Sequence, residues 1–146
     1  MNIVVCVKHV PDAQSERGFN EDNTTDRDGV DGLLSELDEY AVEQALQIAE
    51  AGEGEVTVLT VGPADAADAV KKSLQMGADK GVHVSDEAIA GSDAPATSLV
   101  LAEAVKKIDH DLVVCGMAST DASGSVVPAM LAERLSLPQV TLATVI

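Results

Sequence analysis

The sequence contains no Trp, one Tyr and one Phe among 146 residues. So few aromatic faces exclude the stacking platforms that bind single-stranded nucleic acid. They also leave Ala, Val and Leu to build the core. Cations are scarce: nine Lys and Arg stand against 25 Asp and Glu, for a formal net charge of −16. That balance argues against nucleic acid or an anionic membrane as a partner. The two cysteines, Cys6 and Cys115, form no CxxC or metal-ligand spacing. His9, His83 and His110 lie at no ligand spacing from one another. No apolar run approaches the ~18 residues of a membrane span, and the amino terminus lacks the shape of a signal peptide. The expectation is a soluble, cytoplasmic protein with reduced thiols and no membrane insertion.

What is abundant is apolar and acidic. Hydrophobic residues make up 46% of the chain, which excludes disorder and gives one domain, residues 1–146, enough core to fold. The acids have two readings. One is a docking face for a basic partner; the other is a halophilic surface, acidic throughout. Their spread from Asp12 to Glu133 favours the second.

Apolar runs alternate with helical patterns. Asn2–Val7 (NIVVCV) is a β-branched first strand, and Pro11 ends regular pairing there. Ala13–Leu33 is acidic and glycine-containing, a solvated excursion or small hairpin; its D-x-D fragments lack the register of a calcium loop. Ser35-Glu36-Leu37-Asp38 fits an S-x-x-D helix cap, and a helix follows to about Glu50. Glu55–Val61 is the second strand, stopped at Gly62-Pro63; a helix then runs to about Met76. Gly81–Val84 is the third strand, Thr97–Ile108 the third helix and Leu112–Cys115 the fourth strand. Val140–Val145 reads as a fifth strand. Alternation of this kind with continuous apolar strands specifies an α/β fold around a parallel, doubly wound sheet.

The stretch Leu112–Leu135 is the candidate site. A buried strand breaks at Gly116 into a loop of small polar residues, with Ser123 or Ser125 as candidate caps for the helix that follows. Backbone N–H groups and a helix dipole there suit a phosphate; an ordinary βα connection is the competing reading. Asp121 is either a turn-forming Asp or a contact to a sugar or to backbone N–H groups. Lys8 stands just past the first strand's carboxyl end, where open α/β sheets bind ligands; a solvated lysine is the alternative. Cys6 and Cys115 occupy matching contexts, VVCV and VVCG. Packing as small hydrophobes is favoured over a redox pair. G-x-G-x-x-G, the P-loop and G-x-S-x-G are all missing, and no nucleophile–base set is present. The chain carries no evident catalytic machinery.

In combination, Ile3–Pro11 (IVVCVKHVP), Leu37–Leu46 (LDEYAVEQAL), Leu74–Val84 (LQMGADKGVHV), Asp111–Gly116 (DLVVCG) and Leu137–Thr141 (LPQVT) resemble the β subunit of electron-transfer flavoproteins, the family that includes the FixA proteins. The resemblance covers essentially the whole chain. It implies a Rossmann-like, five-stranded parallel sheet of order 3-2-1-4-5 that holds an adenine nucleotide, AMP or FAD. It also implies a partner α subunit carrying most of the FAD site, and electrons received from dehydrogenases. A homodimer is the alternative assembly if such a subunit is absent. A stand-alone adenine-nucleotide-binding or sensing domain without redox role is the alternative function.

By the same resemblance, nucleotide contacts fall on Cys6, Val7 and Lys8; on Ser35, Leu37 and Asp38; on Val61 and Gly62; and on Gly116, Met117, Ala118, Asp121, Ser123, Gly124, Ser125, Val126 and Val127. Two departures stand out. Ser35-Glu36 replaces the family's usual Asn-Pro, and in the loop only Asp121 is kept, with Met117, Ser123, Gly124 and Val126 where a basic residue, Asp, Thr and Gln are usual. The family continues past this chain's last residue into a segment that wraps the α subunit, so a fragment, a split subunit and a shortened relative all remain open.

Overall fold

The computed structural model describes residues 1–143. β1 (Asn2–Cys6) opens the chain. It leads into a two-stranded antiparallel ribbon, β2 (His9–Pro11) with β3 (Gly32–Leu34). Pro11 therefore does not end pairing. It pairs with Gly32 at the end of the short ribbon, where a missing N–H is tolerated. Between the two strands, residues 12–31 form a mostly exposed excursion whose one internal bridge joins Phe19 and Thr25.

α1 (Glu36–Gly52) follows, then β4 (Glu55–Val61), a 3-10 turn at Ala64–Ala66 and α2 (Ala67–Met76). The chain continues through β5 (Lys80–Val84), α3 (Ala94–Val105), β6 (Leu112–Cys115) and α4 (Val127–Leu135). α3 begins three residues before the expected Thr97. The Asp93 carboxylate accepts the Ala96 N–H at 2.9 Å, and Pro95 suits the first turn.

The four long strands form one parallel sheet of order β5-β4-β1-β6. In strand-only numbering this is 3-2-1-4. The expected fifth strand is not formed over residues 140–143, and Thr144 and Val145 lie outside the described residues. Val140 is 89% exposed and Leu142 has a left-handed φ of 55°, so this stretch lacks both the burial and the extended backbone of a strand.

Helices cover both faces of the sheet. Ile3, Val5, Val56 and Val58 meet Ala41, Val42, Ala45, Ala69 and Val70 on one side. Val4 and Leu59 meet Leu101, Ala102, Val105 and Leu131 on the other. Each fully buried Val or Leu contributes roughly 1.5–3 kcal/mol. β1 and β4 are central and almost wholly buried. β6 was expected to be buried on both faces, but only Val114 is, because β6 is the sheet's edge among the described residues. No helix in the described residues is long and apolar enough to cross a membrane.

Candidate functional site

Because all four strands run the same way, their carboxyl ends share one rim of the sheet. β1 has neighbours on both sides: the crossover through α1 leads from it to β4, whereas β6 is reached from β5 through α3 and lies on the other side. That is the topological switch point where open α/β sheets form a ligand crevice. Three of the expected groups meet there: Cys6–Lys8 after β1, Ser35–Asp38 at the start of α1, and Gly116–Asp121 after β6.

Asp38 links them. Its Oδ2 accepts the Lys8 backbone N–H at 2.8 Å, and its Oδ1 packs against Gly116. The Lys8 carbonyl in turn accepts the Ser35 N–H at 2.9 Å. Ser35 does not cap α1 through its side chain, as the S-x-x-D pattern suggested. Its Oγ is instead turned to the loop, 3.4 Å from the Thr120 N–H. Asp38 is 6% exposed and lies on the helix stripe that also buries Val42. Burial pushes its carboxyl up to about 7. The Lys8 N–H, the Lys8 charge and the Gly116 N–H pull the other way, and the Asp121 charge adds to the rise.

Asp121 sits on the opposite wall of the cluster, its side chain 1% exposed. Lys8 Nζ lies 2.8 Å and Arg27 Nη2 2.7 Å from Asp121 Oδ2. Its Oδ1 accepts the Ala122 N–H at 2.7 Å, the self-bonding of a turn Asp. Burial opposes its ionisation, but hydrogen bonds from Lys8, Ser119 and Arg27 outweigh that and hold the carboxyl well below the usual carboxylate range. Lys8 is therefore an ion-pair partner and not a freely solvated lysine.

Residues 12–31 were expected to be a solvated loop, yet they reach this cluster. Besides the Arg27 ion pair, Arg17 Nη1 donates to the Thr120 carbonyl at 2.9 Å. The only signal in the sequence was that these are the sole cations in an acidic stretch. Hydrophobic periodicity is blind to such contacts.

The remaining expected residues spread along the rim. Gly62 binds β5, its N–H donating to Val84 and its carbonyl lying 3.0 Å from His83 Nε2. Val61 and Val127 pack in the core cluster under α3 and α4, and Leu37 is half-buried. Met117 and Val126 are exposed, at 60% and 44%. Ser123 and Ser125 have left-handed φ values of 51° and 53° and cap nothing; α4 starts after Val126 without a side-chain cap. Gly124 lies between them in an open turn. Cys6 and Cys115 are register partners on neighbouring strands, both half-buried and unbridged. The Cys115 partner, with burial, pushes the Cys6 thiol well up.

The fold and rim define a class: a parallel α/β protein whose loops at the carboxyl edge form a ligand crevice. Comparison with known proteins makes this specific. The family model for the electron transfer flavoprotein domain matches residues 22–146. The electron transfer flavoprotein subunit beta of Mycobacterium tuberculosis is 50% identical over 147 residues, which covers 96% of this chain and 55% of that protein. The corresponding subunit of Thermoanaerobacterium thermosaccharolyticum is 39% identical, with 97% and 54% covered. The FixA protein of Sinorhizobium fredii is 41% identical, with 97% and 51% covered. The chain belongs to the electron transfer flavoprotein domain family. It spans about half the length of the curated relatives it matches.

The rim suits a bound anion in three respects. The first-turn N–H groups of α4, Pro128 having none, have no side-chain cap, the arrangement that favours an anion. Thr120 Oγ1 is buried without a hydrogen-bond partner. Finally, the one carboxylate of the loop is already neutralised by Lys8 and Arg27.

Proposed function

We propose that the chain is the nucleotide-holding part of an electron-transfer flavoprotein β subunit. In this reading it binds AMP, or FAD, at the crevice formed by Cys6–Lys8, Ser35–Asp38, Val61-Gly62 and Gly116–Val127. It pairs with an α-type subunit that carries most of the FAD site. The flavin supplies the redox chemistry when bound; this chain's residues bind, orient and neutralise. The observation that carries the proposal is the joining of three separate segments by Asp38 and Asp121 at the switch point, in a chain of this family. Asp38 bonds the backbone at Lys8 and packs against Gly116, so the loops on either side of the crevice are held together. The loop N–H groups without an internal partner, unlike those of Thr120, Ala122 and Ser123, are then the donors for an anion.

The finer points of the reading follow from family membership and composition. The protein works in the cytoplasm, receives electrons originating in dehydrogenases, and has a surface adapted to salt. Residues 1–146 act as one unit.

Co-expression with an α-type subunit tests the proposal. A yellow complex of the two chains, with its flavin spectrum, is the expected product. Colourless monomers or homodimers that retain AMP support the second reading, a stand-alone adenine-nucleotide domain. Exposed, uncharged Met117 in the phosphate loop favours that second reading.

A further inference from the structure

Nine side chains of this chain are cationic, and three of them meet at one loop. Lys8 and Arg27 pair with Asp121, and Arg17 donates to the neighbouring Thr120 carbonyl. Elsewhere Lys71, Lys80 and Lys106 each face a single carboxylate, and Arg134 donates to Ser98 and Pro95. The loop cluster is different because three cations converge on one carboxylate and its neighbouring carbonyl. In a protein of net charge −16, such convergence is the local feature that can offset repulsion of an anion.

The source of the charge is unusual. Residues 116–126 hold no Lys or Arg at all. Two of the three cations come from the excursion 12–31, whose base is pinned by the β2–β3 ribbon. The excursion crosses to the loop from more than ninety residues away in sequence. Its two arginines hold different positions. Arg27 shares Asp121 with Lys8, which cancels a carboxylate that would otherwise repel a phosphate. Arg17 pairs with no carboxylate among the described residues. A guanidinium has five donors, and the Thr120 carbonyl takes one, so Arg17 keeps both charge and donors for a ligand.

We propose that Arg17 and Arg27 make the excursion a phosphate-specificity element. Arg17 supplies the positive charge to a nucleotide's phosphate, and Arg27 keeps Asp121 from repelling it. This rests on the nucleotide-binding reading above and adds which residues distinguish a nucleotide from its uncharged nucleoside.

The test is calorimetric binding of AMP and of adenosine to nucleotide-stripped full chain: wild type, R17Q, R27Q and R17K. AMP affinity falls about tenfold or more in R17Q and R27Q. Adenosine affinity is unchanged, which also shows that the variants are folded, and R17K recovers most of the loss. An AMP-to-adenosine preference equal to wild type in both glutamine variants overturns the inference and leaves the nucleotide reading standing. So does a wild type that binds both ligands equally. A folded wild type that binds neither ligand overturns the nucleotide reading and this inference together.

Discussion

Gly116 is bare where the carboxylate of Asp38 sits. A Cβ on residue 116 would overlap Asp38 Oδ1 and lie 3.0 Å from the Leu37 carbonyl oxygen. The close approach lets one buried carboxylate accept the Lys8 N–H while packing against the Gly116 backbone. Gly116→Ala is therefore expected to destabilise the fold by about 1–3 kcal/mol, as overpacking does. A shift of the urea midpoint to lower concentration, without a change of slope, is the measurement.

Asp38 gives a pH signature of definite sign. Its carboxyl titrates at about 7 in the folded chain against an ordinary 3.8. Between those values the folded state holds a proton that the unfolded state has released. The contribution of this group to stability therefore falls as pH rises through that window. Asp38→Asn removes the titration and keeps one acceptor. The variant should gain on wild type between pH 4 and 7 by up to a few kcal/mol. A wild-type-minus-variant difference that is flat across this range would contradict the burial argument.

Asp121 runs the opposite way. Its carboxyl is held below the usual range, so its stabilisation is present above about pH 4 and is lost as pH falls further. Asp121→Asn should abolish that acid-side loss. It also leaves Lys8 and Arg27 without a shared partner at neutral pH. A destabilisation of roughly 1–3 kcal/mol is expected, below that of a fully buried pair because both cations are about 40% exposed.

Cys6 should be a poor nucleophile. Its thiol is pushed well up by the Cys115 partner and by burial, and the thiolate is the reactive form. Iodoacetamide at pH 8 should leave Cys6 unmodified over the time in which a free thiol reacts to completion, and peptide mapping after mild peroxide should find no Cys6–Cys115 bridge. Rapid alkylation or a bridged peptide would make this a redox pair after all.

How much of this was legible in the sequence depends on the range of the interaction. β1, β4, α1 and α2 were readable because β-branched runs and helical stripes are local signals. Ser35 stands at the N-cap position of α1 as read, but the side-chain caps failed at Ser35, Ser123 and Ser125 because the pattern identifies a side chain able to cap, and tertiary contacts decided otherwise. Ser35 was taken by Thr120, and left-handed φ values took Ser123 and Ser125. Asp38 was visible as a motif residue, but its burial at the meeting of β1 and β6 was not. Arg17 and Arg27 were missed for the same reason, since ion pairs between residues some hundred apart leave no periodicity. The expected strand at Val140–Val145 was a propensity reading, and residues 140–143 do not follow it.

The acidity predicts salt dependence. At low ionic strength the Debye length grows beyond ~10 Å and the self-repulsion of a −16 chain grows with it. Helical circular dichroism should fall on dialysis below ~0.1 M salt. An unchanged spectrum would mean that the packed core outweighs the charge.

The most direct measurement is mass spectrometry of what the natively purified protein releases on denaturation. The account predicts an adenine nucleotide, AMP or FAD, in near one-to-one ratio with the chain. Folded protein that releases no nucleotide, and takes none up when AMP is supplied, would contradict it.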